Sequence, residues 1–191
     1  MIPADCDGIL DFLRQAEALK STKRSGWTAS GERETTAAHT WRLCLFAMVL
    51  ADRFPDVDHA RLLRMLVVHD LGEAISGDIP APAQALATPK SAQERADLQT
   101  IVAPLPHGPR AEILALWEEY EAGATPEARI AKALDKLETI LQHTQGSNPP
   151  DFDYAFNLAY GVRHTSAVPE LAPLRAMLDA RTAARGARPA P

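Results

Sequence analysis

Two histidines and two aspartates in this chain stand where polar groups are expensive to keep. His39 lies in Ala37-Ala38-His39-Thr40-Trp41, His69 and Asp70 are adjacent in Val67-Val68-His69-Asp70-Leu71, and Asp135 sits in Ala133-Leu134-Asp135-Lys136-Leu137. Imidazoles and carboxylates at the apolar ends of core helices are costly to bury unless they are paired or bind a metal. The flanking Val67, Val68, Leu134 and Leu137 direct them near a core. The four form a mixed nitrogen and oxygen donor set, which suits Mn²⁺, Fe²⁺, Co²⁺, Ni²⁺ or Zn²⁺ better than Cu⁺ or Mg²⁺. Neighbouring His and Asp converge on one ion only where a helix ends or distorts, and Gly72 and Gly77 permit that. An HD dipeptide alone is a weak signal, and a single histidine is more often a satisfied core residue. The weight lies in the order: a His on one helix, His-Asp ending the next, Glu73 just after, and a lone Asp on a distant apolar helix.

The elements that must position these residues are helical. Ile9, Phe12, Leu13, Ala16 and Leu19 make an i, i+3, i+4, i+7 stripe over residues 4–19. Residues 21–34, with Gly26, Trp27 and Gly31, read as a turn-prone segment. Thr35 or Thr36 caps a second helix to about Arg53, which Phe54-Pro55-Asp56 ends. Asp56 or Asp58 starts a third, running through Leu62, Leu66 and Val67 to His69-Asp70. Residues 77–89 are proline-rich and predict a loop over or beside the site. Helical patterns resume at about 91–102, 109–121, 126–143, 152–163 and 169–181, with Pro109 and Pro126 suited to first turns. No β-alternation, repeat or interior linker is evident. The expectation is a single all-α domain over residues 1–182, with 183–191 a frayed tail.

Composition narrows the function classes. A chain of 191 residues can bury a sizeable core without staples, and its net charge of −5 argues against a nucleic-acid-binding surface. A small anionic substrate stays open, since one arginine and a metal can overcome a mildly acidic background. Cys6 and Cys44 form no CxxC, and Cys44, in an apolar run, reads as a buried reduced thiol. No signal-peptide pattern and no apolar stretch of membrane-crossing length is present, so the expectation is a cytoplasmic protein with no membrane partner.

Longer blocks carry a resemblance. Leu19-Lys20 with Arg24-Ser25-Gly26-Trp27, then Glu34-Thr35-Thr36-Ala37-Ala38-His39-Thr40-Trp41-Arg42, then His69-Asp70-Leu71-Gly72-Glu73-Ala74-Ile75-Ser76-Gly77-Asp78-Ile79-Pro80 are similar to the HD-domain superfamily of metal-dependent phosphohydrolases. Their nearest likeness is its 5′-deoxynucleotidase branch, which Leu116-Trp117-Glu118-Glu119-Tyr120-Glu121 and Leu134-Asp135-Lys136-Leu137-Glu138 also fit. The likeness covers roughly residues 9 to 165. It implies an HD-domain helical bundle in which His39, His69, Asp70 and Asp135 bind one divalent transition metal (Co, Mn, Fe, Ni or Zn). It implies release of phosphate from 2′-deoxyribonucleoside 5′-monophosphates, and a homodimer. Glu73 follows His69 by four residues, so on a continuing helix it shares that face and orients or deprotonates the attacking water. By the same resemblance Asp78 contacts the sugar hydroxyl or helps protonate the leaving 5′-oxygen. Arg24 matches a phosphate-binding arginine, and Trp27 packs on the nucleoside. One departure is Ala38, where the family often has an acidic residue that would tune the first metal histidine.

Rival readings are weaker. His69-Asp70-Leu71-Gly72-Glu73 is not HExxH, so a zinc metalloprotease fails on spacing. A di-iron oxygenase needs further histidines between the HD pair and the last Asp, and only His107 is there, in an exposed-looking loop. Hydrolysis of another nucleotide such as guanosine tetraphosphate remains open, because fold does not fix substrate. A non-catalytic helical module with a structural metal would have no use for Glu73, Asp78 and Arg24.

Overall fold

The computed structural model describes residues 3–79 and 90–187. Helix α1 (Pro3–Ala16) leads through a tight turn at Glu17–Lys20 into a short hairpin, β1 (Lys23–Trp27) and β2 (Arg33–Thr35). The strands are antiparallel, with Lys23 opposite Thr35 and Trp27 opposite Arg33. The segment expected as turn therefore contains a small sheet. Gly26 and a three-residue second strand left too little alternation for a sequence reading to catch.

The helices that follow are α2 (Thr36–Val49), α3 (His59–Val68), α4 (Glu73–Ser76), α5 (Lys90–Val102), α6 (His107–Ala122) and α7 (Pro126–Gln145). Their starts are set by side-chain caps: Thr35 accepts from the Ala38 N–H, Asp58 from Arg61 and Thr125 from Ala128. His107, expected in a loop, opens α6 and is exposed. The expected helix over 152–163 is two pieces, α8 (Tyr154–Ala159) and α9 (Val162–Thr165). Gly161 separates them at φ +69°, a conformation that ends regular helix and that glycine reaches without strain. Helix α10 (Ala172–Gly186) runs through the first four residues assigned to a tail, while 188–191 lie outside the described residues. Of the proline-rich loop only Gly77, Asp78 and Ile79 are described.

Two apolar clusters hold these elements. The larger gathers Leu43 of α2, Leu62, Met65 and Leu66 of α3, and Leu134, Leu137 and Ile140 of α7, all essentially without exposure. Each such side chain contributes about 1.5–3 kcal/mol on burial. Helix α7 is the axis, packed against α2, α3, α6 and α10. The smaller cluster joins Leu71, Leu98, Ile101, Val102 and Trp117 under Ile9 and Phe12 of α1. Val68 belongs to the first cluster and Leu71 to the second, so His69 and Asp70 stand at the seam. Cys44 is half-buried rather than fully buried, both cysteines are free thiols, and burial pushes the Cys44 thiol up. No helix among the described residues is long and apolar enough to cross a membrane.

Candidate metal centre

Regular α-helix stops at Val68, and the chain tightens. Leu71 N–H donates to Val68 O at 3.1 Å, Glu73 N–H to Asp70 O at 3.0 Å and Ala74 N–H to Leu71 O at 3.2 Å, all i to i+3. With three residues per turn, positions three apart eclipse, so Asp70 rather than His69 shares a row with Glu73. Gly72 allows this turn for a reason other than a special dihedral: its φ is −60°, but a Cβ there would lie 2.8 Å from the Glu94 carbonyl oxygen of α5.

The turn presents His69 and Asp70 to His39 on α2. His69 Nδ1 donates to Leu66 O at 2.8 Å, which fixes Nε2 as the outward nitrogen. His39 has no exposed surface, and its Nδ1 meets Glu138 Oε2 at 2.5 Å. Its Nε2 lies 3.3 Å from Asp135 Oδ1 and 3.9 Å from Asp70 Oδ2. One donor atom each from His39, His69 and Asp70 falls within 4.8 Å of the others. Asp135 stands just outside that trio, because its Oδ2 is drawn to Tyr120 Oη at 3.0 Å and Lys136 Nζ at 2.8 Å. Its Oδ1 still faces His39.

Both Nε2 atoms are buried and have no partner in hydrogen-bond geometry, although His69 Nε2 lies 3.0 Å from Asp70 Oδ2. An orphaned buried nitrogen costs about 1–3 kcal/mol, and two of them aimed among carboxylates are what a divalent cation would satisfy. The donor set of two imidazoles and two carboxylates fits such an ion. The charges around the site also set its protonation. Burial and the Arg24 guanidinium oppose a charge on His39, yet Glu138 and Asp135 outweigh them and raise its pKa to about 10. Asp70 and Asp135 are both held below the usual carboxylate range: burial opposes this, but His69 and Arg24 prevail at Asp70, and Lys136 with the histidines at Asp135.

Behind the histidines lies a second layer that sequence reasoning missed. Glu34, His39 and Glu138 also bring donor atoms within 4.8 Å, but arginines already serve them. Arg42 Nε donates to Glu138 Oε1 at 2.6 Å, and Arg24 Nε lies 3.6 Å from Glu34. This layer supports the centre and is not a second cation site. Burial and the neighbouring Glu138 raise Glu34 to about 7 despite these arginines. Ala38 offers no outer carboxylate, and the one that meets His39 Nδ1 is Glu138 of α7. The one sequence signal for it is its spacing of three from Asp135, which puts both on one face of α7.

His69 and Asp70 line a cavity of about 610 Å³, while His39 is fully buried and does not line it. Arg24, Asp70, Glu73, Asp78 and Asp135 line it, so these sequence-selected residues meet in one place. Arg24 Nη1 donates to Asp70 Oδ2 at 3.1 Å and Nη2 to Thr139 Oγ1 at 3.2 Å. The buried Glu73 accepts from Thr36 Oγ1 at 2.9 Å. Trp27 does not line the cavity. Its carbonyl is held by Gln142 Nε2 at 2.5 Å, and its ring lies beneath the Arg33 guanidinium, 5.4 Å from the centroid. The aromatic surface of the cavity comes instead from Tyr120, Phe156 and Tyr160.

Comparison with known proteins bears on this geometry. The HD-domain family model matches residues 16–174. Mouse 5′-deoxynucleotidase HDDC2 is 38% identical over 143 residues, covering 72% of this chain and 69% of that protein. The human protein of the same name is 37% identical over 142 residues, covering 72% and 67%. Fission-yeast 5′-deoxynucleotidase hdd1 is 36% identical over 140 residues, 70% of each. Among solved structures, a predicted metal-dependent phosphohydrolase from Magnetospirillum magnetotacticum superposes with a TM-score of 0.84 at 28% identity, covering all of both chains.

Proposed function

This chain belongs to the HD-domain family, and from that premise we propose that it is a metal-dependent 5′-deoxynucleotidase. The observation that carries the reading is the pair of buried Nε2 atoms, of His39 and His69, without hydrogen-bond geometry beside Asp70 and Asp135, where His69 and both carboxylates line a cavity shared with Arg24 and Glu73. His39, His69, Asp70 and Asp135 would hold one divalent transition metal: Co, Mn, Fe, Ni or Zn. When bound, such an ion supplies Lewis acidity toward a phosphate oxygen and a lowered water pKa.

The chain's own residues do the rest. Arg24 clamps the phosphate with its planar fork, an arrangement suited to oxygens in pairs. Glu73, anchored by Thr36, orients the attacking water and takes its proton. Asp78 serves the leaving 5′-oxygen. Water adds to phosphorus, the P–O5′ bond breaks, and the products are a 2′-deoxyribonucleoside and inorganic phosphate. The names of the mouse, human and fission-yeast relatives support the substrate class.

Phosphate release from dAMP, dGMP, TMP, AMP and a nucleoside triphosphate, each with added Co²⁺ or Mn²⁺, tests the reading. Release from the deoxynucleoside monophosphates is expected. No release from any monophosphate overturns it, and equal or better kcat/KM for AMP overturns the deoxy preference alone.

The partner we assign is a second copy of the chain. Trp41, Leu45, Met48 and Val49 form an exposed apolar stripe at i, i+4, i+7, i+8 on the outer face of α2, the kind of surface a two-fold contact covers. Light scattering on wild type and Trp41→Glu checks this, with a dimer expected only for wild type. A cytoplasmic setting keeps Cys6 and Cys44 as the free thiols they are here.

A further inference from the structure

Next to Arg24 on β1, a second polar group reaches the cavity wall. Ser25 lines the cavity, and its Oγ lies 3.3 Å from Nε2 of His143 on α7, which lines it too. His143 Nδ1 meets Oδ1 of Asn157 at 2.9 Å, and Asn157 has no exposed surface. An amide oxygen only accepts, so Nδ1 carries the hydrogen and Nε2 accepts from the Ser25 hydroxyl. The Phe152 ring meets the imidazole edge-on at 5.1 Å and holds its plane. Burial pushes the His143 pKa down, which keeps the ring neutral. Nothing in the reaction described above uses these three residues.

What the chain leaves in the cavity is an uncharged acceptor: a serine oxygen whose hydrogen is committed to His143. A phosphate dianion, itself an acceptor, has no use for it. A hydroxyl does. Arg24 and Ser25 are consecutive on β1, and across the register irregularity of this strand both line the same cavity. A phosphate held by Arg24 therefore brings the sugar, joined to it through the 5′ ester, alongside Ser25.

We propose that Ser25, oriented by His143 and Asn157, accepts a hydrogen bond from the sugar 3′-hydroxyl of the substrate. Ser25 is then a binding residue and His143 a positioning residue. The inference rests on the nucleoside monophosphate reading above.

The test is a cycle of variants against substrates, using metal-loaded protein with 2′-deoxyadenosine 5′-monophosphate and its 2′,3′-dideoxy analogue. One hydrogen bond of ordinary strength corresponds to a loss of roughly tenfold in kcat/KM for wild type when the 3′-hydroxyl is absent. Ser25→Ala, which deletes only Oγ, should lose that factor on the deoxynucleotide and become indifferent to the missing hydroxyl. His143→Phe should show reduced discrimination. If Ser25→Ala still discriminates as wild type does, or if wild type hydrolyses both substrates equally well, the proposal is overturned while the nucleotidase reading stands. A wild type that hydrolyses neither overturns both.

Discussion

Replacing Glu138 by Gln keeps the volume of the side chain and removes the charge behind His39. In the native site Oε2 meets His39 Nδ1 at 2.5 Å and Oε1 takes Arg42 Nε at 2.6 Å, with His39 and Glu138 both without exposure. Charge-assisted hydrogen bonds are about twice as strong as neutral ones, and loss of such an outer partner lowers metal affinity about 10–100-fold. A proton competes for the same imidazole. Burial and Arg24 act against it, but Glu138 and Asp135 raise His39 to about 10, so at pH 7 an arriving ion displaces a proton at a cost of about 4 kcal/mol, three units at about 1.36 each. Because the neutral ring is the ligand, wild-type affinity should climb about tenfold per pH unit from pH 6 to 8.5. In Glu138→Gln the His39 pKa falls, so the climb levels off sooner. The variant's deficit is then small at pH 6 and opens toward pH 8.5. Competition against a fluorescent chelator across this range, with calorimetry in two buffers to count about one proton released per ion, reads both effects. Parallel curves would refute the control of His39 by Glu138, and equal affinities would refute the supporting role altogether. The same raised pKa stabilises the metal-free fold fully below about pH 6.5, the ordinary histidine value, and that contribution is lost as pH rises through about 10.

Asp135→Ala should lose the ion after mild dialysis, where wild type keeps about one per chain by elemental analysis; a fully loaded variant would remove Asp135 from the ligand set. Glu73→Gln should keep the ion and lose a factor of ~10²–10⁴ in kcat, and near-normal turnover would sink its role. Arg24→Ala should lower kcat/KM roughly 10–100-fold through a raised KM, the scale of a hydrogen bond to a charged group. Gly72→Ala forces a methyl to within 2.8 Å of the Glu94 carbonyl and should destabilise the fold by ~1–3 kcal/mol, measurable by urea unfolding.

The long helices and the four candidate ligands were legible for the same reason. Caps such as Thr35, Asp58 and Thr125 announce themselves locally, and acids or imidazoles among Val68, Leu134 and Leu137 stand out against an apolar period. What escaped depends on partners far along the chain. Glu138 looks like one more charge in Asp135-Lys136-Leu137-Glu138 until α2 brings His39 from 99 positions away. His143 read as a helix end, and its two partners come from β1 and α8. Trp27 was assigned by motif alone, and the pairing of β1 with β2 turned its ring toward Arg33. The break at Gly161 lay inside an otherwise helical period, where one glycine is ordinarily tolerated.

Arg24 has a double allegiance that sets an order of events. Its Nη1 is bonded to Asp70 Oδ2, so the residue that faces the phosphate is also paired with a candidate metal ligand. A guanidinium engaged there is not fully open to a phosphate, and a phosphate arriving first would meet the uncompensated negative charge of Asp70 and Asp135. Metal before substrate is therefore the favoured sequence of assembly. Nucleotide offered without a divalent ion should be held weakly, because the Arg24–Asp70 pair competes for the phosphate clamp.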